Sequence, residues 1–308
     1  MLSFGVFAQS GSFLEIAPDA RSLAMGGAGI AAPANAFSTF RNAAQIPFAT
    51  NRIQAAYTYA PWMRDVASGY NFHAAAAYFR IDKRQAVSAG FRRLGMSGSD
   101  GMDQYGNPTG RLKPRDMAIE GAYSRILAHN LSAAITVRYV HSDLGGGTDA
   151  GAVAFDAGVF YRDRLGSTGI WALGLQAANM GGKFDFGESK QDLPWRIGFG
   201  GAVGLELAHN HTLGLEADAG WRVKPSDIKA IDGCFGLEYT YSGIASLRGG
   251  YHAGDGSKGS NNYGSAGIGI KVWWLVIDGA YLFGDSDCLL RDTWMLSLKF
   301  TPGWLNKM

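Results

Sequence analysis

The chain has 308 residues, of which 44 are glycine, 12% aromatic and only 18% charged, with a formal net charge of +2. So many glycines would weaken the helices of a bundle, and a 47% hydrophobic content is too high for a disordered chain. With 28 basic against 26 acidic residues there is no charge excess to recruit nucleic acid, and no apolar run reaches the roughly 18 residues of a membrane helix, a test that a transmembrane β-barrel escapes because its strands alternate.

Residues 1–8, ending in Val6-Phe7-Ala8, read as a truncated export signal, an apolar stretch closing on a small residue without the basic flank of a full one. Residues 9–50 do not alternate and are expected to form a plug. Asp19 after Pro18 offers a cap, and the run to Gly26-Gly27 suits a short helix or tight coil.

From 51 to 300 the chain reads as fourteen alternating segments of roughly ten residues, the length of a tilted membrane strand. They start near Arg52, Tyr70, Arg84, Pro114, Asn130, Ala152, Gly169, Pro194, Asn210, Lys229, Ala245, Asn262, Trp274 and Arg291. In the last, Trp294, Leu296, Leu298 and Phe300 oppose Thr293, Met295, Ser297 and Lys299. The fifth and tenth show the same split: Leu131, Ala133, Ile135, Val137 and Tyr139 against Ser132, Thr136 and Arg138, and Phe235, Leu237, Tyr239 and Tyr241 against Glu238 and Thr240.

Connections after even-numbered segments are short, whereas those after odd-numbered ones are mostly longer and polar, notably Met96 to Lys113, Gly145 to Gly151, Asn179 to Leu193 and His252 to Asn261. A sandwich has no reason to sort its loops in this way. An outer-membrane barrel with short periplasmic turns and long outer loops does. The predicted fold is therefore all-β, a fourteen-stranded antiparallel transmembrane barrel with an N-terminal plug, and residues 301–308 form a periplasmic tail.

Charges facing lipid would be costly, so Arg92, Glu120, Arg138, Asp156, Glu216, Asp218, Glu238, Arg248 and Asp278 mark the lumen. Two readings stand: a polar path or ligand clamp, or a network of opposite charges that neutralise one another and seal the barrel. In the outer loops, Met96, Met102, Tyr105, Met180, Phe184 and Phe186 are candidate apolar anchors for a protein partner; the other reading tucks them into the barrel mouth. His209-Asn210-His211 lacks a third metal ligand, no nucleophile–base motif stands out, and no cofactor motif is present, so a non-enzymatic protein without metal is expected. Cys234 and Cys288 lie several strands apart and are expected as free thiols.

The N-terminal residues add a more specific signal. Phe13-Leu-Glu-Ile, then ARSLAMGGAGIA (Ala20 to Ala31), then Ala36-Phe-Ser-Thr-Phe-Arg-Asn42-Ala43-Ala44, resembles the N-terminus of the PorV/PorQ family, within the FadL-like (OmpP/TodX-type) barrels of the bacterial outer membrane. The family pattern has an Asn-Pro-Ala turn where this chain has Asn42-Ala43-Ala44. The resemblance implies a monomeric barrel from a Bacteroidota-like bacterium, closed by a plug to which Arg21, Met25, Gly26, Gly27, Phe37, Phe40 and Asn42 belong. It also implies two candidate functions. The first is a protein-binding subunit or cargo shuttle of a secretion or outer-membrane assembly, related to type IX secretion, with a larger outer-membrane complex or secreted cargo as partner besides membrane lipid. The alternative is uptake of hydrophobic solutes such as fatty acids, with Phe37, Phe40 and Phe48 lining an apolar pocket between plug and wall.

Overall fold

The structure, a computed structural model, describes residues 11–62, 69–96, 98–102, 108–187, 189–258, 260–285, 288 and 290–303. The alternating segments form long strands because alternation puts every second side chain on the same face. They are β1 (Ile53–Pro61), β2 (Tyr70–Arg80), β3 (Gln85–Met96), β4 (Ser99–Met102), β5 (Pro108–Leu112), β6 (Arg115–Ala128), β7 (Leu131–Gly145), β8 (Thr148–Leu165) and β9 (Gly169–Gly181). There follow β10 (Lys183–Asp185), β11 (Lys190–Asp192), β12 (Arg196–Ala208), β13 (His211–Arg222), β14 (Ala230–Tyr241), β15 (Ala245–Ala253), β16 (Tyr263–Val272), β17 (Leu275–Phe283) and β18 (Trp294–Phe300).

Fourteen of these close into one antiparallel barrel, with β1 pairing both β2 and the final strand β18 through contacts such as Ala55 opposite Phe300 and Tyr59 opposite Leu296. The remaining four make two separate hairpins, β4–β5 and β10–β11. These hairpins fall inside the two longest predicted loops, where short strands of mixed polarity carry too little alternation to register in the sequence. The Gly145–Gly151 connection is also corrected: β7 and β8 run on to a tight turn at 146–147, with Gly145, Gly146 and Gly147 all at positive φ (83°, 68° and 87°). Glycine takes that conformation without the clash a Cβ would cause.

Register fixes what each face meets, since a one-residue slip would turn every side chain over. On β7, Ser132, Thr136 and Arg138 are buried toward the lumen, while Ile135, Val137 and Tyr139 are exposed on the outside. On β18, Met295 and Ser297 are fully buried and Leu296, Leu298 and Phe300 are exposed. The exposed outer surface is thus aliphatic and aromatic. No helix among the described residues is long and apolar enough to cross a membrane; the crossing elements are the strands.

Residues 11–50 pack against the inward faces of the wall. They comprise 3-10 turns at Ser12–Glu15, Ala36–Phe40 and Ala43–Phe48 and one short helix, α1 (Ala20–Ala24), which contacts β15 to β18. Asp19 precedes α1, with its carboxylate taking the Ser22 hydroxyl at 2.6 Å. At the Asn42-Ala43-Ala44 position the missing proline does not disrupt the turn: the Asn42 side chain caps the following 3-10 turn by accepting the Ala44 N–H at 3.2 Å. The signal remnant expected at 1–8 lies outside the described residues.

Candidate functional site: the lumen and its two mouths

Inward side chains on neighbouring strands meet where the register sets them level, and the inward charges gather into clusters by that rule. On β3, β6, β7 and β8, Arg92 Nε donates to Glu120 Oε1 at 3.1 Å, Arg138 Nε to Glu120 Oε2 at 3.0 Å, and Arg138 Nη2 to Asp156 Oδ2 at 2.7 Å. Arg92 and Arg138 are each only 1% exposed. The cluster also grips its surroundings. Arg92 Nη1 donates to the Leu14 carbonyl at 2.9 Å and its guanidinium lies 4.7 Å over the Phe40 ring. Asp156 Oδ1 accepts the Asn179 N–H at 2.7 Å, where the pairing of β8 with β9 shifts register.

A second cluster spans β13 to β18. Arg21 of α1 donates to Glu216 Oε1 at 2.6 Å and to Glu238 Oε2 at 3.0 Å. Arg248, level with Glu238, bonds it and reaches Asp278 Oδ1 at 2.8 Å, and Lys299 Nζ lies 2.7 Å from Asp278 Oδ2. Asp218 stands apart from both: its Oδ2 accepts the backbone N–H groups of Gly29 and Ile30 at 2.8 and 3.0 Å. Within each cluster cations and carboxylates alternate, so charge is neutralised inside a low-dielectric lumen where an unpaired ion would be costly.

The remaining N-terminal residues are held by packing and backbone bonds. Met25 is fully buried, and Gly26 and Gly27 take φ of 71° and 96°; a Cβ on Gly26 would lie 2.4 Å from the Tyr251 carbonyl oxygen. Ser265 Oγ receives the Gly26 N–H at 3.1 Å and donates to the Ala24 carbonyl at 3.0 Å. Phe37 and Phe40 pack with ring centroids 6.3 Å apart, and the Asn42 amide donates to the Ile30 and Val159 carbonyls at 3.1 Å.

A third cluster escaped the sequence reading. Glu15 Oε2 lies 2.6 Å from Arg222 Nη2 and Oε1 lies 3.8 Å from Arg196 Nη1, while Arg196 also bonds Asp232. Arg196 sits at the start of β12 and Arg222 at the end of β13, close to the predicted loops. Extending the even-numbered inward parity of Glu216 and Asp218 along β13 finds Arg222; Glu15 lies outside any alternating segment and carries no such signal.

Among the described residues, two cavities lie between N-terminal segment and wall: an opening of about 410 Å³ with Arg21, Asn35, Lys271, Trp273, Trp274 and Lys299 in its lining, and a second cavity of about 80 Å³ lined mainly by charged and polar side chains, among them Glu15, Arg41, Arg92, Asp218, Asp232 and His252. Of the three phenylalanines expected to line an apolar pocket, Phe40 alone reaches this cavity. Phe37 is buried in packing, and Phe48 stacks against Phe160, with Arg162 4.6 Å over its ring. Among the described residues, no group of three or more His, Cys, Asp or Glu side chains is placed to hold a metal ion. Cys234 and Cys288 are free thiols.

The long-loop mouth corrects one expectation outright. Phe184, expected to present itself to a partner, is fully buried with Phe13, Leu14 and Leu193. The β10–β11 hairpin folds inward over the mouth, pinned across its strands by Lys183 to Asp192 at 3.3 Å and Lys190 to Asp185 at 2.9 Å. The Lys190 ammonium, followed by the Gly187 N–H, holds the Asp185 carboxyl below the usual range. Phe186, Met96 and Met180 are half-buried; Met102 lies on β4, and Tyr105 falls outside the described residues.

The fold as a whole has solved counterparts. The chain is similar to the toluene transporter TbuX of Ralstonia pickettii at 13% identity and a TM-score of 0.64, covering 94% of this chain and 99% of that one. It is similar to the toluene transporter TodX of Pseudomonas putida at 12% identity and 0.60, covering 96% and 97%, and to a FadL homologue of Pseudomonas aeruginosa at 13% and 0.56, covering 92% and 98%. At these identities the likeness is one of fold. Among curated proteins none matches the chain. The family model of the type IX secretion system protein PorV matches residues 5–225, well over half of the sequence, and the chain therefore belongs to the PorV family, as a non-enzymatic β-barrel of the bacterial outer membrane.

Proposed function

We propose that the protein is a protein-binding subunit or cargo shuttle of an outer-membrane secretion assembly, with its N-terminal segment acting as a permanent plug. The observation that carries this reading is the state of the lumen. A solute path needs a cavity that fits its cargo, typically several hundred cubic ångströms and largely apolar; the cavity around Arg92 and Arg138 is about 80 Å³ and lined largely by charged and polar side chains, and the wider opening of about 410 Å³ beside Trp273 and Trp274 is lined by Arg21, Lys271 and Lys299 as well, so neither offers a largely apolar site. The N-terminal segment is bound to the wall through Arg21, Gly26, Asn42 and the Glu15 carboxylate, and the β10–β11 hairpin covers the mouth from the other side with Phe184. Work at the membrane surface then falls to the outer loops. Their apolar contacts are assigned to Met102 of the β4–β5 hairpin and to the half-buried Met96, Met180 and Phe186.

The test is copurification after mild detergent extraction, comparing the intact chain with one lacking Ser97 to Gly110. Surface hairpins tolerate deletion when no barrel strand is lost, so the variant keeps its heat-modifiable gel migration and loses the protein partner. Unchanged partner capture, together with fatty-acid uptake that falls when Phe37 and Phe40 are made polar, would instead assign the chain to solute transport.

A further inference from the structure

The periplasmic rim beneath β1 to β8 carries charge of a different kind from the lumen. Arg80, Lys83, Arg84, Arg125, Arg162 and Arg164 lie at or beside the short turns of this half, where the nearby acids are Asp82 and Asp163. Both carboxylates are occupied locally. Asp82 accepts the Arg84 and Gln85 N–H groups at 2.6 and 2.8 Å and the Gln85 side-chain amide at 2.8 Å; Asp163 accepts the Arg164 N–H at 2.7 Å and the Tyr161 hydroxyl at 3.1 Å. Among the described residues none of the six cations forms an ion pair. In the opposite half, by contrast, the rim carries Glu206, Lys271 and Lys299, the last paired with Asp278, and the exposed indoles of Trp273 and Trp274.

Two of the cations are held in place. Arg80 Nη1 donates to the Ala49 carbonyl at 2.7 Å and Arg162 Nη1 to the Phe48 carbonyl at 3.3 Å, so consecutive carbonyls of the N-terminal segment hold two guanidiniums side by side at the mouth. Arg80 Nε is buried without a hydrogen-bond partner. Like charges held this close without a carboxylate are mutually repulsive, and an anion brought to them relieves that repulsion. The direction of the side chains narrows the kind of anion. Arg80, Arg162 and Arg164 are in lumen-facing register, and Lys83 and Arg84 sit at the tip of the β2–β3 turn; Arg125 alone of the six is in lipid-facing register on its strand. Lipid headgroups would meet a belt of outward-facing cations, whereas cations at the mouth and turn tip meet the periplasm.

We propose that the periplasmic rim of the β1–β8 half is a docking surface for an acidic polypeptide segment presented from the periplasm. The proposal does not rest on the outer loops, and its test does not use them. The intact barrel, reconstituted in nanodiscs of neutral phosphatidylcholine, is titrated with a short fluorescent polyglutamate peptide, with polylysine as control. Polyglutamate binds, polylysine does not, and the affinity falls as salt screens the rim. The pair K83E/R84E weakens binding by about tenfold or more, as expected for reversing two exposed contacts, while K271E on the opposite half leaves it unchanged. K83A/R84A gives a smaller loss in the same direction and serves if the charge reversal impairs folding. Absence of polyglutamate binding, or binding indifferent to both turn variants, or equal loss in K271E overturns the proposal. If binding to the unmodified barrel disappears in phosphatidylglycerol nanodiscs, the rim belongs to lipid headgroups and the polypeptide assignment fails.

Discussion

The lumen and the periplasmic rim are both rich in arginine, yet they use it in opposite ways. Inside, Arg92 and Arg138 are buried against Glu120 and Asp156, and Arg21 and Arg248 against Glu216, Glu238 and Asp278, so each cation is an internal tie. At the rim, Lys83, Arg84, Arg125 and Arg164 are exposed and, among the described residues, form no ion pair, Arg125 acting on Asp82 only through its charge. Burial makes the difference: a charge removed from water must be paired, while one left in water is free to wait for a partner. Lumen charges should therefore report on stability and rim charges on binding.

The largest effect expected from this contrast is in the first cluster. Arg138→Met leaves Glu120 and Asp156 facing each other in the buried lumen without their shared cation, a loss of about 3–5 kcal/mol for a broken buried pair. It should lower the temperature or urea concentration at which the barrel loses its compact gel migration. The double variant R138M/D156N, which leaves Arg92 and Glu120 as a neutral pair in the lumen, should recover much of that loss. If R138M alone is as stable as the unmodified protein, the cluster is not a structural tie.

Next comes the seat of the N-terminal segment. Gly26→Ala must place a Cβ against the Tyr251 backbone at a positive φ, and a cost of about 1–3 kcal/mol follows from strain and overpacking. Because Gly26 lies on the segment and not on a strand, proteolysis should release residues of the N-terminal segment before the barrel itself opens. Simultaneous loss of both would mean that wall and segment fold as one unit.

The rim should then be almost silent in the same assay. K83A/R84A is expected to change barrel stability by less than about 0.5 kcal/mol, the usual range for exposed substitutions away from packed features. A large destabilisation would show these cations to be structural and erase the contrast with the lumen.

The smallest effect is at the β10–β11 hairpin. Asp185 is held below its ordinary range by Lys190 and the Gly187 N–H, so the cross-strand pair is intact above the usual carboxylate range and is lost as pH falls through the depressed value. An NMR titration of the Asp185 side chain should show that depressed midpoint, and Lys190→Ala should move it back upward. An unchanged midpoint in K190A would leave the Gly187 N–H as the sole cause.

Much of this molecule was legible along the chain. Alternation located the fourteen barrel strands, short and long connections separated the two mouths, and the stretch before residue 51 stood out for lacking alternation. What stayed hidden had one physical origin. Phe184 reads as an apolar residue in a polar loop; its burial depends on Phe13 and Leu14, which reach it only after the barrel closes. Glu15 belongs to no periodic segment, and the ties it makes to Arg222 and Arg196 are set by where the N-terminal segment runs inside the wall.

The sequence by itself determined the number of barrel strands and the face on which their residues lie, because a strand's period of two is a property of neighbouring residues. Tertiary structure decided which charges neutralise which. Arg21 can tie Glu216 to Glu238 only when the N-terminal segment enters the barrel beside β13 and β14, and Lys299 meets Asp278 only through the register of β17 with β18. Closure of the barrel left the rim cations of β1 to β8 outside and, among the described residues, without an ion pair, because the two acids beside them are bound to their own turns.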